Sequence, residues 1–260
     1  MIIELSANRT IALLNDTIAI TASATQFNLP FTADSIRATL PELLFNNGQL
    51  RVFIFPREDG AGLIELSPAD TFSIHTEATF LVTSQVPGNF VFNVSPHRPN
   101  TITSPAGGLQ LVFVDRVREI FITWSPTDYT DLADSSRIIP TLARSFTLYL
   151  WALQESGEYI RIPGEWIVAE DSSQIFQNFT FATADSAIFT LSRGRGGKVR
   201  IRAAVEIGGE EFGYITADIF IFDKIAVGIY PNPAIIRNNN IPTLFAHSPV
   251  KLSSLTMPLS

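Results

Sequence analysis

The sequence predicts an all-β protein built of two tandem β-sandwich domains and an extended C-terminal arm. Short runs in which apolar and polar residues alternate recur along the chain, and glycine or proline turns separate these runs. Helix signals are weak throughout. A single larger jelly roll is the alternative fold, because it also produces short strands at a similar spacing.

The composition fits a folded chain with a substantial core. Of the 260 residues, 46% are hydrophobic and only 17% are charged, which is too apolar for a disordered chain. The formal net charge of −7 argues against a nucleic-acid or anionic-membrane surface, because both attract basic proteins. The excess of apolar residues also favours burial against partner proteins.

The absence of cysteine excludes disulfide bonds, thiolate nucleophiles and thiolate metal sites. The N-terminal residues show no basic segment followed by an apolar one, so we expect no secretion signal if Met1 is the natural start. No apolar run approaches the roughly 18 residues of a membrane-spanning helix, so we expect no such helix.

The clearest pattern lies in residues 186–223, where glycine turns separate three short strands. Apolar and polar side chains alternate from Val199 to Val205, which predicts a strand with one buried face. Gly208-Gly209 predicts a tight turn, because only glycine reaches positive φ at low cost. Ile219 and Ile221 then close the unit.

Residues 1–115 are predicted to form strands throughout. Residues 10–22 predict two strands joined by a turn at Asn15-Asp16, and Pro87-Gly88 predicts a hairpin between residues 79–83 and 89–94. The best helix signal covers residues 34–45, but Pro41 interrupts it.

Three segments resemble bacterial immunoglobulin-like (Ig-like) domains. The opening strands, with the run NDTIAITA, resemble the start of such a domain, and ATFLVTS followed by PGNFVFNV resembles a later part of it. GGKVRIRAAV resembles the G-x-V-x-I-x-A strand near the end of these domains. The resemblance implies two Ig-like sandwiches in tandem, at residues 1–115 and 116–224.

Residues 225–260 differ in composition from both predicted domains. Five prolines oppose helix and central strand, yet the apolar pieces between them are unlike a plain disordered tail. We therefore predict an extended arm that lies on its own domains or on a neighbouring subunit. The apolar residues expected to make these contacts are Ile229, Tyr230, Ile235, Ile236, Leu244, Phe245, Val250 and Leu252.

No motif points to catalysis. The histidines His75, His97 and His247 are far apart in sequence, so we expect no metal site from them. The basic run at 193–197 lacks the Lys-Ser/Thr and the helix of a phosphate loop, so it predicts a β-turn. Carboxylates stand beside turns, and no pair is singled out for glycoside hydrolysis. We expect no enzymatic activity, no cofactor and no metal.

Two binding alternatives stay open. Asp128, Asp131 and Asp134 would suit calcium between domains, but their spacing lacks the glycine and terminal glutamate of an EF-hand loop, so a solvated linker is favoured. The three tryptophans, at 124, 151 and 166, would indicate sugar binding if exposed. The alternation around Trp151 instead favours packing in the core or an interface.

These features predict a non-enzymatic structural subunit. Ig-like domains recur on phage capsids and tails, so the resemblance implies a capsid decoration (cement) protein or a tail protein of a phage-like virion, assembled in the host cytoplasm. The expected partners are other copies of itself, as a homo-oligomer, and other virion proteins, without nucleic acid or membrane. A cell-surface adhesin or extracellular filament subunit is the alternative, and a carbohydrate-binding module is the third hypothesis.

Overall fold

The structure, a computed structural model, describes residues 1–30, 35–55, 62–129, 131–132, 137–140, 144–171, 174–183, 185–192, 195–222, 226–229 and 244–247. Within these ranges the chain forms 25 strands and one 3₁₀-helix, so the predicted all-β fold class is confirmed. No helix in the described ranges is long and apolar enough to cross a membrane.

The first thirteen strands and the 3₁₀-helix lie within residues 2–114. In chain order they are β1 (Ile2–Ala7), β2 (Ile11–Leu13), β3 (Ile18–Gln26), β4 (Leu29–Pro30), β5 (Ile36–Thr39), the 3₁₀-helix (Glu42–Gly48), β6 (Leu50–Ile54), β7 (Ile64–Leu66), β8 (Thr71–Ile74), β9 (Glu77–Ser84), β10 (Gly88–Phe92), β11 (Ser95–Pro96), β12 (Ile102–Ser104) and β13 (Leu109–Val114).

These thirteen strands form three sheets. The largest has the order β12-β1-β3-β9-β6-β7 with β4 beside β3, and the others are β10-β13-β2 and β11-β5-β8. The ring of Phe80 in β9 lies 5.1 Å from that of Phe72 in β8 and 5.3 Å from that of Phe92 in β10. Since these rings come from three different sheets, the sheets pack face to face around one core.

The next ten strands form two further sheets. In chain order they are β14 (Val117–Thr123), β15 (Arg137–Pro140), β16 (Ser145–Gln154), β17 (Tyr159–Arg161), β18 (Glu165–Asp171), β19 (Phe176–Thr183), β20 (Ser186–Leu191), β21 (Gly197–Ile207), β22 (Glu210–Ile215) and β23 (Ile219–Phe222). One sheet has the order β14-β16-β20-β19 with β17 beside β16, and the other has β15-β23-β21-β18 with β22 beside β21. Trp166 of β18 lies 6.3 Å from Phe189 of β20, so these two sheets also form a sandwich.

The chain divides into two compact units. The first consists of Met1–Ile120 with Trp151–Pro163 and Glu206–Phe212, and the second of Phe121–Leu150, Gly164–Val205 and the described residues of Gly213–Ser260. The domain boundaries expected after residues 115 and 224 stay predictions.

The pattern in residues 186–223 folds as its sequence predicts. In β21, Val199, Ile201 and Ala203 are fully buried and the residues between them face outward. Gly208 and Gly209 have φ values of +61° and +83° in the turn that follows. Ile219 and Ile221 are buried in β23.

Strand pairing in the first half differs from the prediction. The prediction of a hairpin at Pro87-Gly88 is wrong. Strand β9 pairs with β3 and β6, whereas β10 pairs with β13 in another sheet. The two strands within residues 10–22 form, but β2 pairs with β13 rather than with β3. The helix predicted for residues 34–45 does not form in its first part, where β5 occupies Ile36–Thr39. The 3₁₀-helix starts only after Pro41, where proline is tolerated.

The arm contains a pair of strands that its sequence does not predict. Strands β24 (Ala226–Ile229) and β25 (Leu244–His247) pair antiparallel, with Ile229 opposite Leu244. Ile229, Leu244 and Phe245 therefore lie in a two-stranded sheet. The other predicted contact residues, Tyr230, Ile235, Ile236, Val250 and Leu252, lie outside the described residues.

Candidate interaction site

An open groove lies beside the 3₁₀-helix and β10, with a volume of about 440 Å³. The helix begins directly after Pro41, where the Leu44 N–H donates a hydrogen bond to the Pro41 carbonyl at 3.0 Å. The groove is lined by uncharged residues: Pro41, Leu43, Leu44, Asn89, Phe90, Val91, Asn93 and Gly107.

Apolar side chains contribute to both the floor and the rim of the groove. Leu44 and Phe90 are buried, and the Phe90 ring packs edge-on against Phe113 with centroids 5.9 Å apart. Leu43 is 92% exposed and Val91 is 42% exposed, so they form the rim. The groove therefore combines these apolar side chains with the polar side chains of Asn89 and Asn93.

A glycine turn brings the chain close to this groove. Gly107 and Gly108 have φ values of +91° and +93°, and the Gly108 N–H donates to the Pro105 carbonyl at 2.9 Å. A Cβ atom on Gly108 would lie 2.4 Å from the Phe92 carbonyl oxygen. The backbone reaches this position only because Gly108 has no side chain.

A second apolar feature is the tip of the hairpin between β3 and β4, which we call the hairpin tip (Phe27, Asn28 and Leu29). Gln26 pairs with Leu29, so the loop has two residues, and Phe27 and Asn28 have φ values of +52° and +61°. This is the backbone of a type I′ turn, which ordinarily takes Asn or Gly. Phe27 is 90% exposed and Leu29 is 68% exposed.

The outward face of β18 and β21 carries a network of ion pairs with Asp218, which directly precedes β23. Arg200 Nε lies 2.7 Å from Asp218 Oδ1, and Lys198 Nζ lies 3.0 Å from Glu170 Oε1. Longer contacts of 3.8 and 3.9 Å join the two pairs. Two cations and two carboxylates balance each other in this network.

A single ion pair crosses between β6 and β7. Arg51 Nε and one terminal nitrogen each donate to a carboxylate oxygen of Glu65 at 2.8 Å. These hydrogen bonds, together with the charge of Arg51, lower the pKa of the Glu65 carboxyl.

The residues considered for sugar and calcium binding have different surroundings. Trp151 and Trp166 are buried, which confirms the expected packing, and Trp124 is half-buried with its ring 5.3 Å from that of Phe146. Asp131 accepts a hydrogen bond from the Tyr214 hydroxyl. Asp128 is exposed, and Asp134 lies outside the described residues.

The three histidines lie in different stretches of the chain. His75 and His97 are exposed, and His247 lies in β25. In the ranges that the structure describes, no group of three or more His, Asp or Glu side chains is placed to hold a metal ion.

No protein-family model and no curated protein matches this sequence. Solved structures that resemble the chain include the D0–D1 domains of intimin (13% identity, 84% of this chain and 96% of that chain, TM-score 0.29). The adhesin InvE of Yersinia pseudotuberculosis matches at 14% identity over 84% of this chain and 58% of its own, with a TM-score of 0.28. Domains 5–6 of the S-layer protein SbsC match at 13% identity over 84% and 95%, with a TM-score of 0.26.

At these identities and TM-scores the similarities assign neither a family nor a role. The chain itself is all-β and forms β-sandwiches.

Proposed function

We propose that this protein is a non-enzymatic structural subunit that works through contacts with other proteins. The observation that carries the proposal is the exposure of large apolar side chains. In the described part of the chain, eight of the twelve such side chains lie within residues 1–114. Some of them are neighbours, as are Phe27 and Leu29 at the hairpin tip and Leu63 and Ile64 at the start of β7, and exposed apolar groups that cluster are typical of protein-interaction sites. The eight are Phe27, Leu29, Leu43, Phe55, Leu63, Ile64, Val91 and Ile102.

The setting that we propose is a phage-like virion, with the chain as a capsid decoration or tail protein. Its partners would be other copies of itself and other virion proteins. The support is the Ig-like sequence pattern combined with the apolar surface and the C-terminal arm. A cell-surface adhesin or an extracellular filament subunit is the alternative, and the same apolar surface supports it.

A carbohydrate-binding module has less support. Sugar-binding modules stack their ligand on an exposed aromatic face. Trp151 and Trp166 are 6% and 2% exposed, so neither offers such a face.

The arm supports assembly through its paired strands. β24 and β25 form a two-stranded sheet, and an isolated two-stranded hairpin is marginally stable in water. We propose that this pair of strands is stabilised by docking on a protein surface. That surface belongs either to the same chain or to a neighbouring subunit.

Immunogold electron microscopy with an antiserum against the chain tests the proposed setting. Labelling of purified phage particles is the expected result. Labelling of the bacterial cell surface instead would support the adhesin or filament alternative. Labelling of neither would contradict a structural role in both settings.

A further inference from the structure

We propose that Gln154 fixes the conformation of the joint between β13 and β14, so that residues 1–115 do not unfold as a domain of their own. The joint consists of Asp115 and Arg116 alone. At such a position the sequence predicts the boundary between two independent domains. The inference concerns the fold and does not rest on the structural role proposed above.

Two consecutive residues of the hairpin between β16 and β17 bind the backbone of the joint. The Asp115 N–H donates a hydrogen bond to Gln154 Oε1 at 2.6 Å. The Glu155 N–H donates to the Arg116 carbonyl at 2.9 Å. Within the joint, the Arg116 N–H donates to Asp115 Oδ1 at 2.8 Å. Since bending the joint would break these bonds, it is not a flexible linker.

Gln154 is itself held in place. Its side chain is 2% exposed, although glutamine is mostly exposed in folded proteins. Its backbone N–H donates to the Glu158 carbonyl at 3.0 Å, and its carbonyl accepts a hydrogen bond from the Gly157 N–H at 2.9 Å. A buried polar side chain needs a hydrogen-bond partner, and here the Asp115 N–H supplies one. The bond to Asp115 therefore explains why a glutamine is buried at this position.

A second segment from late in the chain contacts the first half beside the joint. Leu13 of β2 lies opposite Val114, the last residue of β13. A Cβ atom on Gly208, in the turn between β21 and β22, would lie 2.6 Å from Leu13 Cδ1. The backbone of this turn therefore packs directly on the Leu13 side chain.

The extent of the first compact unit agrees with these contacts. The unit contains Met1–Ile120, and it also contains Trp151–Pro163 and Glu206–Phe212. The two later segments carry the two contacts described above. The boundary expected after residue 115 therefore lies inside a compact unit, and residues from both sides of it pack together.

The contacts at the joint couple the unfolding of β13 to that of the β16–β17 hairpin. If the joint opens while the hairpin stays folded, the Gln154 amide oxygen loses its partner, and a buried group without a partner is costly. Regions that lack such contacts open as separate cooperative units. We therefore expect β13 and the β16–β17 hairpin to lose their structure together.

Hydrogen–deuterium exchange of the full chain, followed by NMR, tests the inference. We expect the amides of Asp115 and Glu155 to be protected as strongly as those within β13. Gln154→Met keeps the length of the side chain and removes the amide oxygen that accepts from the Asp115 N–H. Exchange at both positions should then become about tenfold faster or more.

The same substitution elsewhere on β13 provides the matched control. Gln110 is exposed in β13, so Gln110→Met leaves the joint intact, and exchange at Asp115 and Glu155 should equal that of the wild type. Trypsin provides a second readout, because the Arg116 side chain is 76% exposed while its backbone is held. Cleavage after Arg116 should be slow in the wild type and in Gln110→Met, and about tenfold faster in Gln154→Met.

Three results would overturn the inference. Rapid exchange at Asp115 and Glu155 in the wild type would show that the joint is a flexible linker. Equal exchange in Gln154→Met and Gln110→Met would show that Gln154 does not fix it. If β13 of the wild type opened at moderate urea while the β16–β17 hairpin stayed protected, the first half would unfold alone. The first and third results need only the wild type, so the inference is tested even if Gln154→Met does not fold.

Discussion

Thr216 completes the hydrogen bonding of β21 at the point where β22 has ended. The Ile201 N–H donates to Thr216 Oγ1 at 3.1 Å, and the Thr216 N–H donates to the Ile201 carbonyl at 3.0 Å. Thr216 is 3% exposed, so water cannot replace this side chain. A buried N–H needs a partner, and here a hydroxyl takes the place of a strand carbonyl.

Replacing Thr216 with valine keeps the shape of the side chain and removes the acceptor. We expect a loss of about 1–3 kcal/mol in the free energy of unfolding, because the Ile201 N–H is left buried without a partner. Urea denaturation measures this loss. Thr147→Val, at a half-buried position of β16, is the control and should change the stability by less than about 0.5 kcal/mol. Equal effects of the two substitutions would contradict the role given to Thr216.

Gly107 and Gly108 form a matched pair for testing close approach of the backbone. Both have φ near +90°, so alanine at either position should cost about 1–2 kcal/mol from conformation alone. A Cβ at Gly107 meets nothing within 4 Å, whereas one at Gly108 meets the Phe92 carbonyl. We expect Gly108→Ala to cost about 1–3 kcal/mol more than Gly107→Ala. Chemical denaturation of both variants measures the two losses in the free energy of unfolding. Similar losses would contradict a clash between the new Cβ at position 108 and the Phe92 carbonyl.

The ion pair of Arg51 with Glu65 predicts a pH dependence. Arg51 lowers the pKa of Glu65 in the folded protein below its unfolded value of about 4.3. The stability that Glu65 contributes is therefore present above that unfolded pKa, and it is lost as the pH falls through the folded pKa. We expect wild type and Glu65→Gln to differ in Tm at neutral pH and to converge at low pH. A Tm difference that does not change with pH would contradict this.

At the scale of elements, the sequence predicts which face of a strand is buried better than it predicts the partner strand. The alternation from Val199 to Val205 determines the buried face of β21, and Gly208-Gly209 determines the turn, because both are local properties. The chain also bends just before Pro87-Gly88, at residues 85–86, yet there it passes from one sheet to another. A turn of suitable sequence does not specify that its flanking strands pair, since pairing is determined by tertiary packing.

The charges on β18 and β21 and that of Asp218 belong to this scale as well. Asp218 contacts Arg200 at 2.7 Å and Lys198 at 3.9 Å, and its side chain is 26% exposed. We expect Asp218→Asn to cost up to about 1 kcal/mol, because the partly exposed partners remain solvated. The loss should shrink at about 1 M ionic strength, where screening is strong. Denaturation at low and high salt measures it, and a loss independent of salt would contradict an electrostatic origin.

At the scale of the whole molecule, the sequence predicts an all-β chain but not its candidate contact surfaces. Leu43 and Leu44 are adjacent in sequence, and only the structure shows that Leu44 is buried while Leu43 is exposed on the groove rim. Phe27-Asn28 lacks the glycine that marks most type I′ turns, so the hairpin tip gives no turn signal. Composition singles out the arm residues, and the part of the arm that the structure describes is paired as β24 and β25.

The most direct test of the central claim is the solution mass of the intact chain, measured by light scattering over a range of concentrations. Comparison with a version that ends at Asp223 reports the contribution of the arm. A structural subunit that works through contacts with its own copies predicts a mass above that of one chain, rising with concentration. If the arm contributes, the shortened version will associate less. A mass equal to one chain at every concentration would contradict the claim.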